Sequence, residues 1–168
     1  MLNNIQVYLA LGSNLGDRQA NLVEATKQLQ QSVTIKTLSA IYETKPAYIT
    51  DQPNFYNMVL QGLTTLSPQA LLRRLKSIEN DLGRRQTVRY GPRPIDVDIL
   101  LYGEMQLATP DLVIPHPRMT ERAFVLIPLA EIAPDLIIPG RWESAKQLAA
   151  RLTDAAQGQV VQIIEDVF

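Results

Sequence analysis

Two aspartates separated by one residue, Asp96 and Asp98, lie in the apolar segment IDVDILLY. Strand side chains alternate between the two faces of a sheet, so both carboxylates would point to one side, opposite Val97 and Ile99. Two carboxylates that close repel each other unless a cation lies between or beside them. Mg²⁺ prefers oxygen ligands and is commonly held by one or two carboxylates together with substrate phosphates. The pair therefore predicts a magnesium site.

Basic residues crowd the segment just before the acidic pair. Residues 84–93 contain no acid and four arginines, which are Arg84, Arg85, Arg89 and Arg93. Guanidinium groups match phosphate oxygens in shape and charge, and the glycines and prolines of this segment suit a loop that covers a substrate. Phosphate binding is one interpretation. The alternatives are a solvated strand face, or pairing of each aspartate with an arginine.

Two further clusters could bind a ligand. The single histidine, His116, lies near Arg118 and Arg122 and is either a structural residue or part of a second phosphate-binding cluster. Phe55 and Asn57 would share one strand face, where an aromatic ring and an amide could stack on and hydrogen-bond to a flat heterocycle. Ordinary strand packing is the alternative for this second pair.

The composition narrows the chemistry that is available. With no cysteine and one histidine, disulfides and thiolate catalysis are excluded and a protein-built zinc site is not expected. A net charge of −1, from 16 basic and 17 acidic residues, gives no bulk attraction to nucleic acid or membranes. The lysine-containing glycine loop and the GxGxxG motif of other nucleotide-binding proteins are both absent from the sequence. The first residues lack the features of a signal peptide, so we expect a soluble, cytoplasmic protein, and a monomer.

The elements that must position these residues alternate over the first hundred residues. Strands are predicted at residues 5–11, 33–43, 55–63 and 95–102. One helix is predicted from a cap at Asp17 to about residue 31, and a second from Ser67 and Pro68 to Gly83. The resulting βαββαβ order is the ferredoxin-like motif, an α+β fold with an antiparallel sheet and helices on one face.

Beyond residue 102, prolines divide the chain into short segments. We expect Gly103 and Glu104 to turn the fourth strand into a hairpin with residues 105–108. A helix at residues 144–153 and a strand at residues 160–164 would follow as C-terminal additions. Phe124 and Trp142 are candidate core residues because large aromatic side chains are mostly buried. The whole chain, residues 1–168, is expected to form one domain.

Several motifs, taken together, resemble one known family. They are YLALGSNLGDR, ETKPAYITDQPNFYNMV, RYGPRPIDVDILLYG and IPHPRMTERAFVLIPLAEIAPDLIIP. In this order they resemble 6-hydroxymethyl-7,8-dihydropterin pyrophosphokinase, an enzyme family of folate biosynthesis. The resemblance implies transfer of the pyrophosphoryl group of ATP to the hydroxymethyl group of the pterin, giving AMP. It also implies two Mg²⁺ ions, ATP as co-substrate and a ferredoxin-like fold.

The resemblance further implies roles for individual residues. The metal ligands would be Asp96 and Asp98. The catalytic positions would be Arg84, Arg93, Asp96 and Asp98. The ATP-binding positions would be Glu79, Arg93, Ile99, His116 and Arg122. The pterin-binding positions would be Thr44, Ala47, Phe55, Asn57, Tyr90, Asp96 and Phe124, with the two phenylalanines on either side of the ring. No side chain is assigned as a general base.

Two positions depart from the family pattern. Gln86 stands where the family often has a second loop arginine, with Arg85 beside it, and Lys45 stands where some relatives have proline. Two other functions also stay open. Ferredoxin-like sheets can bind RNA on exposed aromatic residues, although the sequence lacks the RNP pattern. A different Mg²⁺-dependent nucleotidyl or phosphoryl transferase could use the same acidic pair.

Overall fold

The chain forms a mixed structure of strands and helices in a computed structural model, which describes residues 3–83 and 90–164. The strands are β1 (Ile5–Ser13), β2 (Thr34–Leu38), β3 (Ile41–Thr44), β4 (Phe55–Thr64), β5 (Asp96–Tyr102), β6 (Leu107–Ala108), β7 (Val113–Ile114) and β8 (Val160–Ile164). The helices are α1 (Arg18–Leu29), α2 (Pro68–Asp81), α3 (Ala123–Ile132), α4 (Ala145–Ala150) and α5 (Asp154–Gln157). The predictions made for Arg84, Arg85, Gln86 and Arg89 lie outside the described residues.

The main sheet is antiparallel and runs in the order β5-β1-β4-β3-β8, with β2 also paired to β4. The strand predicted at residues 33–43 is divided into β2 and β3. The division occurs where the Ser39 hydroxyl accepts the Val59 N–H at 2.9 Å and the Ala40 N–H donates to the Glu131 carboxylate. These side-chain partners replace ladder hydrogen bonds, so the strand bends at this point.

Helices α1 and α2 begin where the sequence predicts. The Asp17 carboxylate accepts the Ala20 N–H and the Ser67 hydroxyl accepts the Ala70 N–H, which satisfies amide groups that the first turn of each helix leaves unpaired. Leu71, Leu75 and Ile78 follow helical spacing and are fully buried. They fix α2 against the sheet and thereby set the position of its C-terminal turn beside β5.

The core consists of two layers because helices cover both faces of the sheet. Val7, Leu9 and Leu11 of β1 point toward α1 and α2. Tyr8, between two of these side chains in β1, points toward the opposite layer, which α3 and α4 complete. The prediction of helices on one face is therefore correct for α1 and α2 only. The C-terminal additions bury the other face.

Two predictions for the chain beyond β5, the hairpin at Gly103 and the division into short segments at Pro128, are wrong. Instead of pairing with β5, β6 pairs with β7 in a separate two-stranded sheet. The run that contains Pro128 is helix α3, and Pro128 is buried within it. A proline inside a helix removes one amide donor, but apolar packing on the sheet and on α4 stabilises the segment. Among the described residues, no helix has both the length and the apolar character needed to cross a membrane.

Trp142 was predicted to be a core residue, and this prediction is wrong. Its side chain is 96% exposed. It follows the turn at Gly140, which has a φ of 85°, and precedes the Ser144 cap of α4. Trp142 is exposed because it lies in a surface loop before α4. The expectation that large aromatic side chains are buried does not take this position into account.

Candidate active site

A cavity of about 330 Å³ opens on the α3 side of the sheet. It brings together most of the residues that the sequence analysis selected from separate motifs. These are Thr44, Ala47, Phe55, Asn57, Tyr90, Arg93, Asp96, Asp98, His116, Arg122 and Phe124. The segments that supply them are the adjacent ends of β3, β4 and β5, the loop between β3 and β4, the segment before β5, the connection between β7 and α3, and the start of α3.

The acidic pair lies on one face of β5, as strand alternation predicts. Asp96 is paired with Gly12 of β1 and Asp98 with Ala10, and both carboxyl groups line the cavity. Arg93 Nη1 is 3.4 Å from Asp96 Oδ1, and both side chains are largely shielded from solvent. The alternative of an aspartate paired with an arginine is thus correct for Asp96.

Asp98 has an unusual electrostatic environment. Burial raises the pKa of Asp98, and the charges of Asp96 and Glu79 raise it further. The positive charges of Arg122 and Lys76 oppose this shift without cancelling it. An ionised Asp98 is therefore costly in the protein alone, and a divalent cation beside the pair would relieve the repulsion. The donor set fits Mg²⁺, since it offers two carboxylates on one face.

Glu79 and Ile99 have different positions from the other residues selected for a nucleotide site. The Glu79 side chain is buried, and its Oε2 accepts the Val97 N–H at 3.0 Å, which satisfies an amide at the edge strand β5. The Ile99 side chain is buried in the core layer beneath α1 and α2. A contact of Ile99 with a ligand would therefore involve its backbone alone.

Asn14 connects the two segments that border the cavity, although the sequence analysis did not select it. Its Oδ1 accepts the Arg93 N–H at 2.9 Å, and its own N–H donates to the Arg93 carbonyl at 3.1 Å. Its Nδ2 donates to Gln52 Oε1 and to the Pro53 carbonyl. Gln52 Nε2 in turn donates to the Tyr90 carbonyl at 2.8 Å. One buried amide thus fixes Arg93 relative to the β3–β4 loop.

The end of the cavity that carries Phe55 and Asn57 depends on a close approach at Gly12. Asn57 Nδ2 donates to the Thr44 hydroxyl at 2.7 Å, which orients the amide. A Cβ atom at Gly12 would lie 2.6 Å from Asn57 Oδ1 and 3.7 Å from the Phe55 ring. Any larger residue at this position would displace the Asn57 amide from the place that its bond to Thr44 gives it. Phe124 of α3 also lines this end of the cavity.

Two members of the predicted second cluster, His116 and Arg122, line the same cavity, and Arg118 lies beside them without lining it. The imidazole Nδ1 accepts the Arg118 N–H at 3.3 Å, so in the neutral ring Nε2 carries the proton and can donate. Burial lowers the pKa of His116 to about 4, Arg122 and Arg118 contribute in the same direction, and Asp96 opposes them. At neutral pH this residue is therefore an uncharged hydrogen-bond donor.

A titration of the single histidine tests this conclusion. We expect the imidazole resonances of tag-free protein to titrate with a midpoint near pH 4, well below the ordinary value for histidine. The folded state then binds fewer protons than the unfolded state between this midpoint and about pH 6.5, so His116 makes stability fall as the pH is lowered through that window. The unfolded protein in denaturant is the control and should titrate near 6.5. A folded-state midpoint near 6.5 would contradict the burial argument.

The residues missed at the site include Gly12, Asn14, Tyr48, Gln52 and Lys76. Asn14 follows the GS turn and Gln52 lies in a proline-containing loop, where polar residues are expected for local reasons. Lys76 is on the exposed face of α2 and reaches the cavity past the edge of the sheet. Local sequence patterns do not predict these contacts directly. The grouping of polar residues at the ends of β1 and β4 is the one hint that they offer.

The fold and the cavity together define a small-molecule site in an α and β protein, with an aromatic and amide end and an end rich in arginine and carboxylate. Residues 8–134 match the family described as 7,8-dihydro-6-hydroxymethylpterin-pyrophosphokinase, or HPPK. The chain belongs to this family.

Individual relatives agree with this assignment. The folic acid synthesis protein FOL1 of Dictyostelium discoideum is 50% identical over 137 residues, which cover 82% of this chain and 21% of that protein. The 2-amino-4-hydroxy-6-hydroxymethyldihydropteridine pyrophosphokinase of Bacillus subtilis is 50% identical over 133 residues, which cover 78% of this chain and 79% of that protein. The chain thus spans about a fifth of the first relative and most of the second.

A solved structure shares the fold. The crystal structure of HPPK-DHPS from Plasmodium falciparum superimposes with a TM-score of 0.72 at 15% sequence identity, covering 90% of this chain and 46% of that one. At this low identity the likeness concerns the architecture alone. It agrees with the antiparallel sheet and flanking helices described above.

Proposed function

We propose that this protein transfers the pyrophosphoryl group of ATP to 6-hydroxymethyl-7,8-dihydropterin. The observation that carries the proposal is the single cavity that joins the acidic pair, Arg93 and Arg122 to the ring-binding group of Phe55 and Asn57. Family membership supports the same reaction. The products would be AMP and the pterin diphosphate.

In the proposed reaction the hydroxymethyl oxygen of the pterin attacks the β-phosphorus of ATP. A bond forms between that oxygen and the β-phosphorus, and the bond from the β-phosphorus to the α,β-bridging oxygen breaks. AMP leaves with the bridging oxygen, and the hydroxyl proton is released. No covalent enzyme intermediate is needed, so catalysis rests on positioning and on stabilisation of charge.

The residues divide this task between the two ends of the cavity. Phe55 and Phe124 would hold the pterin ring, and Asn57, oriented by its bond to Thr44, would read the edge of the ring. This arrangement fixes the direction in which the hydroxymethyl group points. These groups belong to β4, β3 and α3, so the orientation of the substrate would depend on how these three elements pack together.

At the phosphate end of the cavity, positively charged side chains and a neutral hydrogen-bond donor would act together. Arg93 and Arg122 would bind phosphate oxygens, and the neutral His116 would donate through Nε2 without adding charge. Asp96 and Asp98 would hold Mg²⁺, and we propose two ions. When bound, Mg²⁺ would supply neutralisation of the triphosphate and polarisation of its oxygens.

We also propose that the sheet is a ferredoxin-like arrangement. Taking β2 and β3 as one interrupted strand, the order along the chain is βαββαβ, with β8 added at the edge of the sheet. In this arrangement β1 and β4 are central, which places the ends of both beside the cavity. The whole chain would then act as a single catalytic domain.

One incubation tests the proposed function. The protein is mixed with ATP, Mg²⁺ and the hydroxymethyl dihydropterin, and the nucleotide products are separated. We expect AMP and the pterin diphosphate in equal amounts. ADP would indicate a simple kinase, and absence of turnover would favour a binding module. Omission of the pterin is the control for ATP hydrolysis.

A substitution at Gly12 tests the ring-binding end. We expect Gly12→Ala to weaken binding of the pterin about tenfold or more, because the added methyl group displaces the Asn57 amide. Overpacking at such a site costs about 1–3 kcal/mol of stability. Binding of a non-hydrolysable ATP analogue, measured on the same sample, is the control and should change less than about twofold. Unchanged pterin affinity would exclude the proposed role of Asn57.

A further inference from the structure

The side chain of Tyr48, in the β3–β4 loop, lies against groups at the phosphate end of the cavity. Its ring centroid is 4.2 Å from that of Tyr90, and the two rings are stacked with an interplanar angle of 25°. The Arg118 guanidinium carbon is 4.7 Å from the same ring centroid, and that of Arg122 is 5.6 Å from it. The Tyr48 ring therefore lies over one face of both guanidinium groups, while Arg118 also pairs with Glu121 at 2.7 Å and keeps 40% of its side chain exposed.

The shielded surface of Arg122 is suited to an anion. Among the described residues, its Nε is a buried donor without a hydrogen-bond acceptor. The rings of Tyr48 and Phe124 lie against the guanidinium, at 5.6 Å and 5.5 Å. An aromatic face attracts a cation but offers no acceptor oxygen, and a buried donor that lacks an acceptor is costly. A phosphate oxygen would satisfy Nε through a charge-assisted hydrogen bond.

Tyr90, the partner of Tyr48 in the stack, has a strained backbone. Its φ is 63°, a value that is unfavourable for a residue with a side chain. The contacts that hold it include the Tyr48 ring, the bond from Gln52 Nε2 to its carbonyl and the bond from Arg118 Nη1 to its hydroxyl at 3.4 Å. Backbone strain of this kind persists where surrounding contacts enforce it, often in segments that change during function.

We propose that Tyr48 is a latch that controls access of a nucleoside triphosphate to Arg118 and Arg122. In the latched state the Tyr48 ring stacks on Tyr90 and lies over one face of both guanidinium groups. The phosphate chain displaces the ring, so nucleotide binding requires the unlatched state. The apparent dissociation constant then equals the intrinsic one divided by the unlatched fraction. This inference rests on the proposed function, because it takes the phosphate chain to bind at Arg122.

The experiment is calorimetric titration of the protein, in Mg²⁺, with the ATP analogue that carries a methylene group between the α- and β-phosphorus. We expect Tyr48→Ala to lower the dissociation constant about three- to tenfold. Tyr48→Leu, which keeps bulk without an aromatic face, should have the same effect. Tyr48→Phe keeps the ring and should bind as the original protein does.

Ile49→Ala is the matched control, because Ile49 is the next loop residue, is 36% exposed and does not line the cavity. Its affinity for the analogue should equal that of the original protein. Equal affinities for all variants would overturn the latch and leave the proposed function intact. Weaker binding by Tyr48→Ala would also overturn it, since Tyr48 would then contribute to the bound state. Failure of the original protein and every variant to bind the analogue would overturn both the latch and the proposed function.

Discussion

Asp98→Asn is expected to abolish pyrophosphoryl transfer and at the same time to stabilise the protein. The loss of activity should be about 10³-fold or more, because the substitution removes a charged oxygen from the proposed Mg²⁺ ligands. The gain in stability at pH 8 should be about 1–3 kcal/mol, because an amide of the same shape avoids a buried charge beside two other carboxylates. Turnover and chemical denaturation of the same preparation measure the two effects.

The direction of the pH effect follows from the raised pKa of Asp98. A carboxyl group whose pKa is raised in the folded state binds its proton more tightly there than in the unfolded chain. Its contribution to stability is therefore most favourable below the unfolded value of about 4 and is lost as the pH rises from there toward the raised pKa. The difference in unfolding free energy between Asp98→Asn and the original protein should grow over this range.

Asp135→Asn is the matched control for Asp98→Asn, because it removes the same charge from an exposed position away from the cavity. Its activity and stability should both stay close to those of the original protein. If Asp98→Asn is less stable than the original protein at pH 8, the electrostatic description of the acidic pair is wrong. If it retains near-normal turnover in Mg²⁺, the metal assignment is wrong.

Much of the cavity could be predicted from the sequence because its residues follow local rules. Strand alternation alone places Asp96 and Asp98 on one face, and the same rule places Phe55 and Asn57 together. The main strands and the first two helices also follow from apolar spacing and caps. These features depend on residues that are close together in the chain, so local sequence patterns predict them.

Other features depend on contacts between distant segments, which local patterns do not encode. Asn14 bonds to Arg93 and Gln52, each separated from it by dozens of residues. Glu131 of α3 provides the partner that divides the predicted second strand at Ala40. Polar residues of these types are equally common in turns and on surfaces. Their hydrogen bonds between distant segments can therefore be identified only in the folded structure.

Arg93→Ala is expected to slow the chemical step far more than it weakens pterin binding. The turnover number should fall about 10²- to 10³-fold, since Arg93 lines the cavity and, in the proposed reaction, would stabilise the charge that develops as the α,β bridge breaks. The dissociation constant of the pterin should change less than about threefold, because the residues proposed to bind the ring belong to β3, β4 and α3. Pre-steady-state kinetics and a separate pterin titration distinguish the two quantities.

Arg93→Lys shows whether charge or geometry matters at this position. Asn14 fixes the Arg93 backbone through its N–H and carbonyl groups, and the guanidinium extends from there to within 3.4 Å of Asp96. A lysine keeps the charge but loses the planar fork that matches phosphate oxygens. We therefore expect Arg93→Lys to recover less than about a tenth of the lost turnover. Full recovery of turnover by Arg93→Lys would mean that only the positive charge matters at this position. If Arg93→Ala lowered turnover and pterin affinity equally, Arg93 would contribute to binding of the pterin ring instead of phosphoryl transfer.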